Sequence, residues 1–303
     1  MNYKYLSYWG YSNPSLLLFK RGQELKQLTN LKEFQLVANT LRQDLLTMLQ
    51  HAGSGHTAGP LGLVDIFTAL YFKLLKHAPH KPLWDKRDRL ILSNGHVCPV
   101  RYVTMAYAGY FPMAELLTLR KLNSRLQGHP SRIDLPTLEL STASLGQGLG
   151  VAVGMALAAK HKHQQHTIYC ITSDGEHDEG STWEAVNAAA KWKLDNLINI
   201  IDRNNIQISG YTQNVWPLES LKDKYLAFNW QVLEINGHDF KQIISAVQKA
   251  KKLNGPVCII AYTIPGKGVS FMEHQYQWHG KTPNQQELEK ALLELKEERK
   301  RIR

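Results

Sequence analysis

Cysteine is scarce in this sequence, with three residues among 303. Cys98, Cys170 and Cys258 lie far apart in apolar stretches. The sequence therefore supports neither a disulfide framework nor a cysteine-based metal site, and a reducing compartment fits best. No apolar run approaches the ~18 residues of a membrane span, and the amino terminus lacks the features of a signal or transit peptide. These absences predict a soluble, cytoplasmic protein.

Positive charge is abundant but is not gathered in one place. The formal net charge is +10, which would suit nucleic acid, a membrane surface or a phosphorylated small molecule. The lysines and arginines are scattered among predicted helices, and the densest run, residues 296–303, also contains two glutamates, as a solvated helix face does. We therefore expect no nucleic acid and no membrane as partner, whereas phosphorylated substrates are compatible with the charge.

Length and composition predict one large domain. The content of 43% hydrophobic and 20% charged residues is usual for globular proteins, and a chain of 303 residues lies near the upper limit for a single core. Residues 1–30 show no clear periodicity, and we expect them to form an amino-terminal extension. The folded domain is expected to span residues 31–303, opening with an amphipathic helix from about Leu31 to Gly53.

Strands and helices alternate through the rest of the chain. The predicted strands are Arg89–Leu92, Thr167–Thr172, Leu197–Asp202, Val232–Ile235 and Val257–Thr263. The predicted helices are Gly95–Ala108, Gln147–His161, Ser181–Lys193, Leu218–Phe228 and Asp239–Lys251. This alternation predicts an α/β fold with a doubly wound, mostly parallel sheet and helices on both faces. Ligands of such sheets bind outside the carboxyl ends of the strands.

Oxygen-bearing groups follow two neighbouring strands of this prediction. Asp174 and Gly175 come after one strand, and Asn204 and Ile206 come after the next. Mg²⁺ and Ca²⁺ prefer oxygen ligands, which a carboxylate, an amide and a backbone carbonyl can supply. A glycine lets the backbone approach an anion closely. Taken singly, Asp-Gly and Asn-Asn are ordinary turn sequences, but their spacing of one strand-helix-strand unit predicts a metal site.

Further short segments occur in order along the chain. They are Ser54-Gly55-His56 with Gly59-Pro60-Leu61-Gly62, Leu92-Ser93-Asn94-Gly95-His96, Gly128-His129-Pro130, Ser144-Leu145-Gly146-Gln147-Gly148 and Trp278-His279-Gly280-Lys281. The Asp174 and Asn204 loops resemble the thiamine diphosphate motif. With these segments, the chain is similar to the amino-terminal, diphosphate-binding domain of transketolase over most of residues 50–281. The resemblance implies the thiamine diphosphate-binding fold.

The resemblance also implies how the cofactor is held. Asp174, Asn204 and Ile206 match the ligands of the metal ion, Mg²⁺ or Ca²⁺, and Gly175 matches a contact to the diphosphate. His96 matches a residue near the diphosphate. The loop beside the aminopyrimidine ring is matched by Ala143, Ser144 and Leu145.

Three histidines match a cluster that lines the substrate channel in the family: His56, His129 and His279. The last of them also matches a cofactor contact. Histidine suits such a cluster because its unperturbed pKa lies near neutrality, so it can donate or accept protons as sugar hydroxyls react. Each of the three is next to a glycine, as in loops that approach a ligand closely. Glu179 matches a carboxylate network across a subunit interface, although an acidic residue at a helix start would equally serve the helix dipole.

The sequence departs from the family pattern in two loops and in extent. Ser173 stands where glycine is usual, and Ala143-Ser144 stand where many members have Gly-Pro. A complete transketolase continues into a pyrimidine-binding domain, which supplies the glutamate that protonates the aminopyrimidine ring, and into a third domain. This chain ends soon after His279. We therefore expect a separate carboxyl-terminal transketolase subunit with the pyrimidine-binding domain, in two copies of each subunit around a two-fold axis.

The reaction implied is transfer of a two-carbon ketol unit from a ketose phosphate to an aldose phosphate, with thiamine diphosphate and Mg²⁺ as cofactors. One alternative is another split thiamine diphosphate enzyme, such as a 2-oxo acid dehydrogenase component, over which the histidines favour sugar chemistry. A second is a non-catalytic assembly subunit, against which Asp174 and Asn204 argue. A nicotinamide-binding Rossmann enzyme lacks support because no strand runs into Gly-x-Gly-x-x-Gly.

Overall fold

The computed structural model describes residues 27–303. The predicted extension of residues 1–30 lies almost wholly outside this range and stays a prediction. The first helix, α1, spans Leu31–Ala52. It begins where the Asn30 side chain accepts a hydrogen bond from the Glu33 backbone N–H at 3.0 Å, and it ends at Gly53, whose φ is +71°. Both ends therefore follow ordinary capping chemistry, and the predicted opening helix is confirmed.

Five parallel strands form the central sheet. They are β1 (Arg89–Leu92), β2 (Ile168–Ser173), β3 (Leu197–Arg203), β6 (Gln231–Asn236) and β7 (Val257–Tyr262). Their order across the sheet is β1-β2-β3-β7-β6, and every pair is parallel. All five predicted strands are present, with ends that differ by at most one residue from the expected ones. The predicted parallel α/β sheet is confirmed.

Helices cover both faces of the sheet. Besides α1, they are α2 (Ala58–Ala69), α3 (Cys98–Tyr107), α4 (Gln147–His161), α5 (Gly180–Lys191), α6 (Thr212–Val215), α7 (Leu221–Ala227), α8 (Phe240–Ala250) and α9 (Gln285–Ile302). Two separate cores result. Tyr169 and Ile171 pack on the side of α1, α2, α3 and α8, whereas Ile168 and Cys170 pack on the side of α4, α5 and α7. The alternation along one strand shows that it is buried on both faces.

Helix α2 was not predicted. All 12 of its residues are buried, and Asp65 and Thr68 are its only polar side chains, so the sequence shows no apolar stripe with a 3.6-residue period. It runs on into a π-helical turn, Leu70–Leu74. The connection between α1 and β1 is thus built on a helix that amphipathic patterns cannot reveal.

Two helices begin at residues other than the predicted ones. The helix predicted at Leu218–Phe228 begins only at Leu221, because the Ser220 hydroxyl accepts a hydrogen bond from the Asp223 N–H at 3.2 Å and so caps the helix. The helix predicted from Gly95 opens as a short 3-10 turn, Gly95–Val97, before α3 begins.

The segment after β3 folds back on itself as a short hairpin. Its strands are β4 (Ile206–Gln207) and β5 (Gly210–Tyr211), which pair antiparallel. The hairpin lies directly beyond the carboxyl end of β3 and therefore holds Ile206 next to the sheet edge where ligands of α/β proteins bind.

The last helix, α9, packs against the first. Asn284 and Glu287 form a capping box at its start, and the buried Asn39 of α1 donates a hydrogen bond to the Leu295 carbonyl at 2.8 Å. Among residues 27–303, none of the helices combines the length and the apolar character needed to cross a membrane.

Candidate active site

The loops after β2 and β3 lie side by side at one edge of the sheet. Ser173 is paired in register with Asp202, so the residues that follow each strand meet. The Asp174 carboxylate accepts a hydrogen bond from the Asn205 backbone N–H at 2.6 Å, and its other oxygen accepts one from the Gly175 N–H at 2.8 Å. The structure thus brings together the two loops that the sequence analysis expects to be neighbours.

The Asn204 side chain has a fixed orientation in this loop pair. Its amide nitrogen donates to the Asp202 carboxylate at 2.8 Å, and its amide oxygen accepts from the Ile206 N–H at 2.9 Å. Within residues 27–303, no three His, Cys, Asp or Glu side chains are arranged to hold a metal ion. A metal ion here would need the mixed set of carboxylate, amide and carbonyl oxygens, which suits a hard cation such as Mg²⁺.

The electrostatics of the loop pair favour a cation. Asp174 and Asp202 are both fully buried. Burial raises the pKa of Asp174, although the Arg203 guanidinium at 3.0 Å opposes that rise. Burial raises the pKa of Asp202 to about 7, and the charge of Asp174 adds to the effect. A bound divalent cation would stabilise the charged form of both carboxyl groups.

Gly175 follows Asp174 in the loop after β2 and lies close to the hairpin after β3. A Cβ added there would be 3.1 Å from the Cγ of Gln207 in the hairpin, so a larger residue would force that side chain to move. The close packing fits a backbone that approaches a ligand. Its predicted contact to the diphosphate stays a prediction.

A second wall of the site comes from the end of β1 and from residues 142–146. The two segments touch, since a Cβ at Gly95 would lie 2.6 Å from the Thr142 carbonyl oxygen. The Asn94 side chain is fully buried, yet neither its amide oxygen nor its amide nitrogen has a hydrogen-bond partner. The Thr142 hydroxyl and the His56 Nδ1 are buried and unpartnered as well. Because such atoms are costly without partners, this wall fits a polar ligand such as the expected cofactor.

The predicted aminopyrimidine loop lies within this wall. Ala143 and Ser144 are exposed and Leu145 is half-buried. The loop is fixed at each end, because the Thr142 N–H donates to the Pro130 carbonyl at 3.1 Å and the Gly146 N–H donates to Glu176 at 2.7 Å.

Glu176 is a buried carboxylate that the sequence analysis did not single out. Its side chain accepts hydrogen bonds from the Gly146 N–H, from the Ser93 hydroxyl and from the Ser173 N–H. Burial raises its pKa to about 7. An acidic residue shortly after Asp-Gly looks like any acidic residue near a helix start, so the sequence carries no distinct signal for this role.

Four histidine rings form one group at the mouth of the site. The centroid of the His56 ring lies 5.0 Å from that of His96, 6.2 Å from that of His129 and 5.3 Å from that of His279. The rings of His96 and His279 are 5.1 Å apart. The structure therefore assembles the three predicted channel histidines, and it adds His96, predicted near the diphosphate, to the same group.

All four histidines are held in the neutral form near pH 7. Burial lowers the pKa of His56 to about 4, with the nearby His279, His129 and Arg120 adding to the effect. Burial also lowers the pKa of His96 and His279, and the partial burial of the more exposed His129, with the charge of Arg120, lowers its pKa as well. Neutral imidazoles present one donor and one acceptor each, which suits hydrogen bonding to sugar hydroxyl and carbonyl groups.

Backbone contacts join the loops that carry these histidines. The Thr57 hydroxyl, next to His56, donates to the Lys281 carbonyl at 2.5 Å. The Gly266 N–H donates to the Ala58 carbonyl at 2.8 Å. The His56 and His279 loops are therefore joined by a hydrogen bond, although they are far apart in sequence.

Glu179 lies immediately before α5 and is exposed. The Glu179 side chain does not cap the helix, and a Cβ added at Gly146 would lie 2.7 Å from the Cβ of Glu179. It thus stands beside residues 142–146, facing solvent in this single chain. Its role in a network across a subunit interface stays a prediction.

Comparisons with known proteins agree with this arrangement. Residues 34–298 match the family described as transketolase, thiamine diphosphate binding domain. The 6-deoxy-6-sulfo-D-fructose transketolase subunit SqwG of Clostridium sp. (strain MSTE9) is 43% identical, over 88% of this chain and 97% of that protein. An apulose-4-phosphate transketolase subunit from Phocaeicola vulgatus is 40% identical over 84% of this chain and 91% of its own length. The crystal structure of transketolase from Campylobacter jejuni superposes with a TM-score of 0.84 at 38% identity, covering 88% of this chain and 43% of that one.

Proposed function

This chain belongs to the transketolase family and carries its thiamine diphosphate-binding domain, and we propose that it is the amino-terminal subunit of a two-subunit transketolase. The reaction is transfer of a two-carbon ketol unit from a ketose to an aldose. The observation that carries the proposal is the meeting of the Asp174 and Asn204 loops with four neutral histidines around one site. A carboxylate-amide-carbonyl set suits a metal-diphosphate group, and histidines suit a polyhydroxylated substrate.

The cofactor would be held at two walls. Asp174, Asn204 and the Ile206 carbonyl would bind Mg²⁺ or Ca²⁺, and Gly175 and His96 would contact the diphosphate. Residues 143–145, with the unpartnered Asn94 and Thr142, would contact the rest of the molecule. When bound, thiamine diphosphate supplies a carbon nucleophile that also serves as an electron sink. The chain contributes orientation and a water-poor, fixed electrostatic environment.

The histidines would act on the substrate. The His56 ring lies 6.2 Å from that of His129 and 5.3 Å from that of His279, and all three are neutral donors and acceptors. They can form hydrogen bonds to the hydroxyl and carbonyl oxygens of a sugar, and they can transfer protons as a hydroxyl group becomes a carbonyl group or the reverse. Glu179, exposed beside residues 142–146, would connect to a second subunit.

The partner would be a carboxyl-terminal subunit with the pyrimidine-binding domain. The chain spans less than half of the Campylobacter jejuni transketolase but nearly all of the two subunit-type relatives. That pattern supports a split enzyme, for which we propose two copies of each subunit around a two-fold axis. Cytoplasmic location fits three buried, unpaired cysteines.

The substrates would be anionic sugars, in keeping with the net charge of +10. The two subunit-type relatives are named for a sulfonated and a phosphorylated sugar. Phosphorylated ketoses and aldoses are the class we propose here. A component of another split thiamine diphosphate enzyme, acting on 2-oxo acids, is the second candidate, but the histidine group favours sugar chemistry.

A coupled ketol-transfer assay tests the proposal. The chain is assayed with thiamine diphosphate and Mg²⁺, alone and after mixing with the product of the adjacent reading frame that encodes a pyrimidine-binding domain. Activity in the mixture only is the expected result. Robust turnover by the chain alone would refute the split-enzyme proposal. Turnover of a 2-oxo acid but of no sugar phosphate would make 2-oxo acids the substrate class in place of sugar phosphates.

A further inference from the structure

We infer that Glu176 is a positioning residue that holds the metal-binding loop and residues 142–146 at a fixed separation, so that the two ends of the cofactor bind as one unit. The inference rests on the proposed function, because it concerns the cofactor site described there. It assigns to a buried carboxylate the task of joining two walls of the site that are distant in sequence.

The contacts of Glu176 span three segments. One carboxylate oxygen accepts from the Gly146 N–H at 2.7 Å and from the Ser93 hydroxyl, and the other accepts from the Ser173 N–H at 3.2 Å. Ser173 precedes the metal-binding Asp174, Gly146 closes residues 142–146, and Ser93 ends the β1 segment. A single side chain therefore bonds to the β1 segment, to residues 142–146 and to the loop after β2, each of which carries a predicted cofactor contact.

Ser93 extends the connection. Its hydroxyl oxygen donates to Glu176 and accepts from the Gly148 N–H at 3.0 Å, in the first turn of α4. The residue after it is Asn94, whose buried amide has no partner. The same bonds that fix Glu176 thus fix the backbone on which an unpartnered, ligand-directed side chain is placed.

Glu176 itself does not reach a ligand. Its exposed fraction is 0%, and three donors occupy its two oxygens. Within residues 27–303 it forms no ion pair, so these three hydrogen bonds are what stabilise its carboxylate. These hydrogen bonds join segments that are distant in sequence and so oppose separation of the two loops.

A glutamine at this position is the informative variant. It fills the same space, but its amide nitrogen cannot accept a hydrogen bond. Whichever way the amide turns, at least one backbone N–H, that of Gly146 or that of Ser173, loses its acceptor. Glu176→Gln should therefore loosen the spacing between the two walls without opening a cavity.

Calorimetric titration of the reconstituted two-subunit complex tests the inference. Two probes are compared in the presence of Mg²⁺: thiamine diphosphate, which would contact residues 143–145 as well as the metal-binding side, and inorganic pyrophosphate, which lacks the groups that would reach residues 143–145. In Glu176→Gln, the Kd of thiamine diphosphate should rise about tenfold or more, and the Kd of pyrophosphate should change by less than about threefold. Glu184→Gln, at an exposed position of α5, is the matched control and should change neither.

Ser93→Ala is the second variant, and it carries the test alone if Glu176→Gln does not fold. It should shift the ratio of the two Kd values in the same direction. The variant that combines both changes should show a smaller rise in the Kd of thiamine diphosphate than the product of the two single rises. Equal weakening of both probes would mean that Glu176 supports only the general stability of the fold, and it would overturn the inference. Unchanged Kd values for both probes would overturn it as well. Absence of Mg²⁺-dependent thiamine diphosphate binding in the unmutated complex would instead remove the proposed function itself.

Discussion

The Asn205 backbone N–H donates to the carboxylate of Asp174 across 2.6 Å. Asn205 has a φ of +64°, a left-handed conformation that asparagine tolerates better than most residues. The hydrogen bond joins the loop after β2 to the loop after β3, so the two predicted halves of the metal site form one structure. A change at either residue should therefore alter the conformation of the other loop.

Replacing Asp174 by Asn should weaken Mg²⁺-dependent thiamine diphosphate binding by at least about a hundredfold. The variant keeps the shape of the side chain but removes the only charged group of the proposed ligand set. Titration calorimetry of the reconstituted complex measures the effect. Asp178→Asn, at an exposed acid in the same turn, is the control. Retention of full affinity in the Asp174 variant would remove this residue from the metal site.

His129→Ala should lower the rate of ketol transfer by about a hundredfold or more, as loss of a proton-transferring group does. Cofactor affinity and thermal stability should be nearly unchanged, because the His129 side chain is exposed in this chain. The measurement is kcat of the reconstituted enzyme beside a cofactor titration. His163→Ala, at an exposed position just beyond α4, should leave kcat as it was, and an equal kcat in both variants would count against the channel role.

Acid should destabilise the fold through the histidine group. The pKa of His56 is about 4 in the folded chain, whereas an unfolded histidine titrates near 6.5. As the pH falls from 6.5 towards 4, the unfolded state binds more protons than the folded state, so stability decreases over that window. His96, His129 and His279 titrate in the same direction.

His56→Asn should therefore show a smaller drop in Tm between pH 7 and pH 5 than the unmutated chain. Thermal unfolding followed by circular dichroism at the two pH values gives the comparison. His51→Asn, at an exposed position of α1, should keep the full drop. An identical drop in His56→Asn would show that the ring is not buried as the structure has it.

Gly148→Ala should destabilise the chain, because its Cβ would lie 2.4 Å from the Ser93 Oγ. The loss expected is about 1–3 kcal/mol, the usual cost of overpacking. Gly150→Ala in the same helix meets nothing within 4 Å and should be neutral or gain about 0.5–1 kcal/mol from helix propensity. Chemical denaturation of both variants decides the matter, and equal stabilities would contradict the close contact.

The sheet could be predicted from sequence because strands buried on both faces appear as short apolar runs. The Asp174 and Asn204 loops could be predicted as neighbours for a topological reason, since the carboxyl ends of adjacent parallel strands share an edge. Helix α2 could not, because burial on every side removes the period that marks a helix.

The contacts within the second wall, at the end of β1 and residues 142–146, could not be predicted from strand topology. Glu176 acquires its role through contacts with Ser93 and Gly146, which are distant in sequence and have no pattern that links them. Asn94 is similar, since only the fold shows that its amide is buried without a partner. Chemistry that depends on a single long-range contact leaves no periodic signal in the sequence.

The complete burial of α2 has a consequence for how the site can be observed. Amide hydrogens in a fully buried helix should exchange with deuterium chiefly through large openings of the domain. His56 and Thr57 lie directly before this helix, so one side of the histidine group is attached to a helix in which we expect slow exchange. A ligand that binds at the histidines will therefore slow exchange in α2 by its effect on global stability, whereas local protection will be visible only in the loops around it.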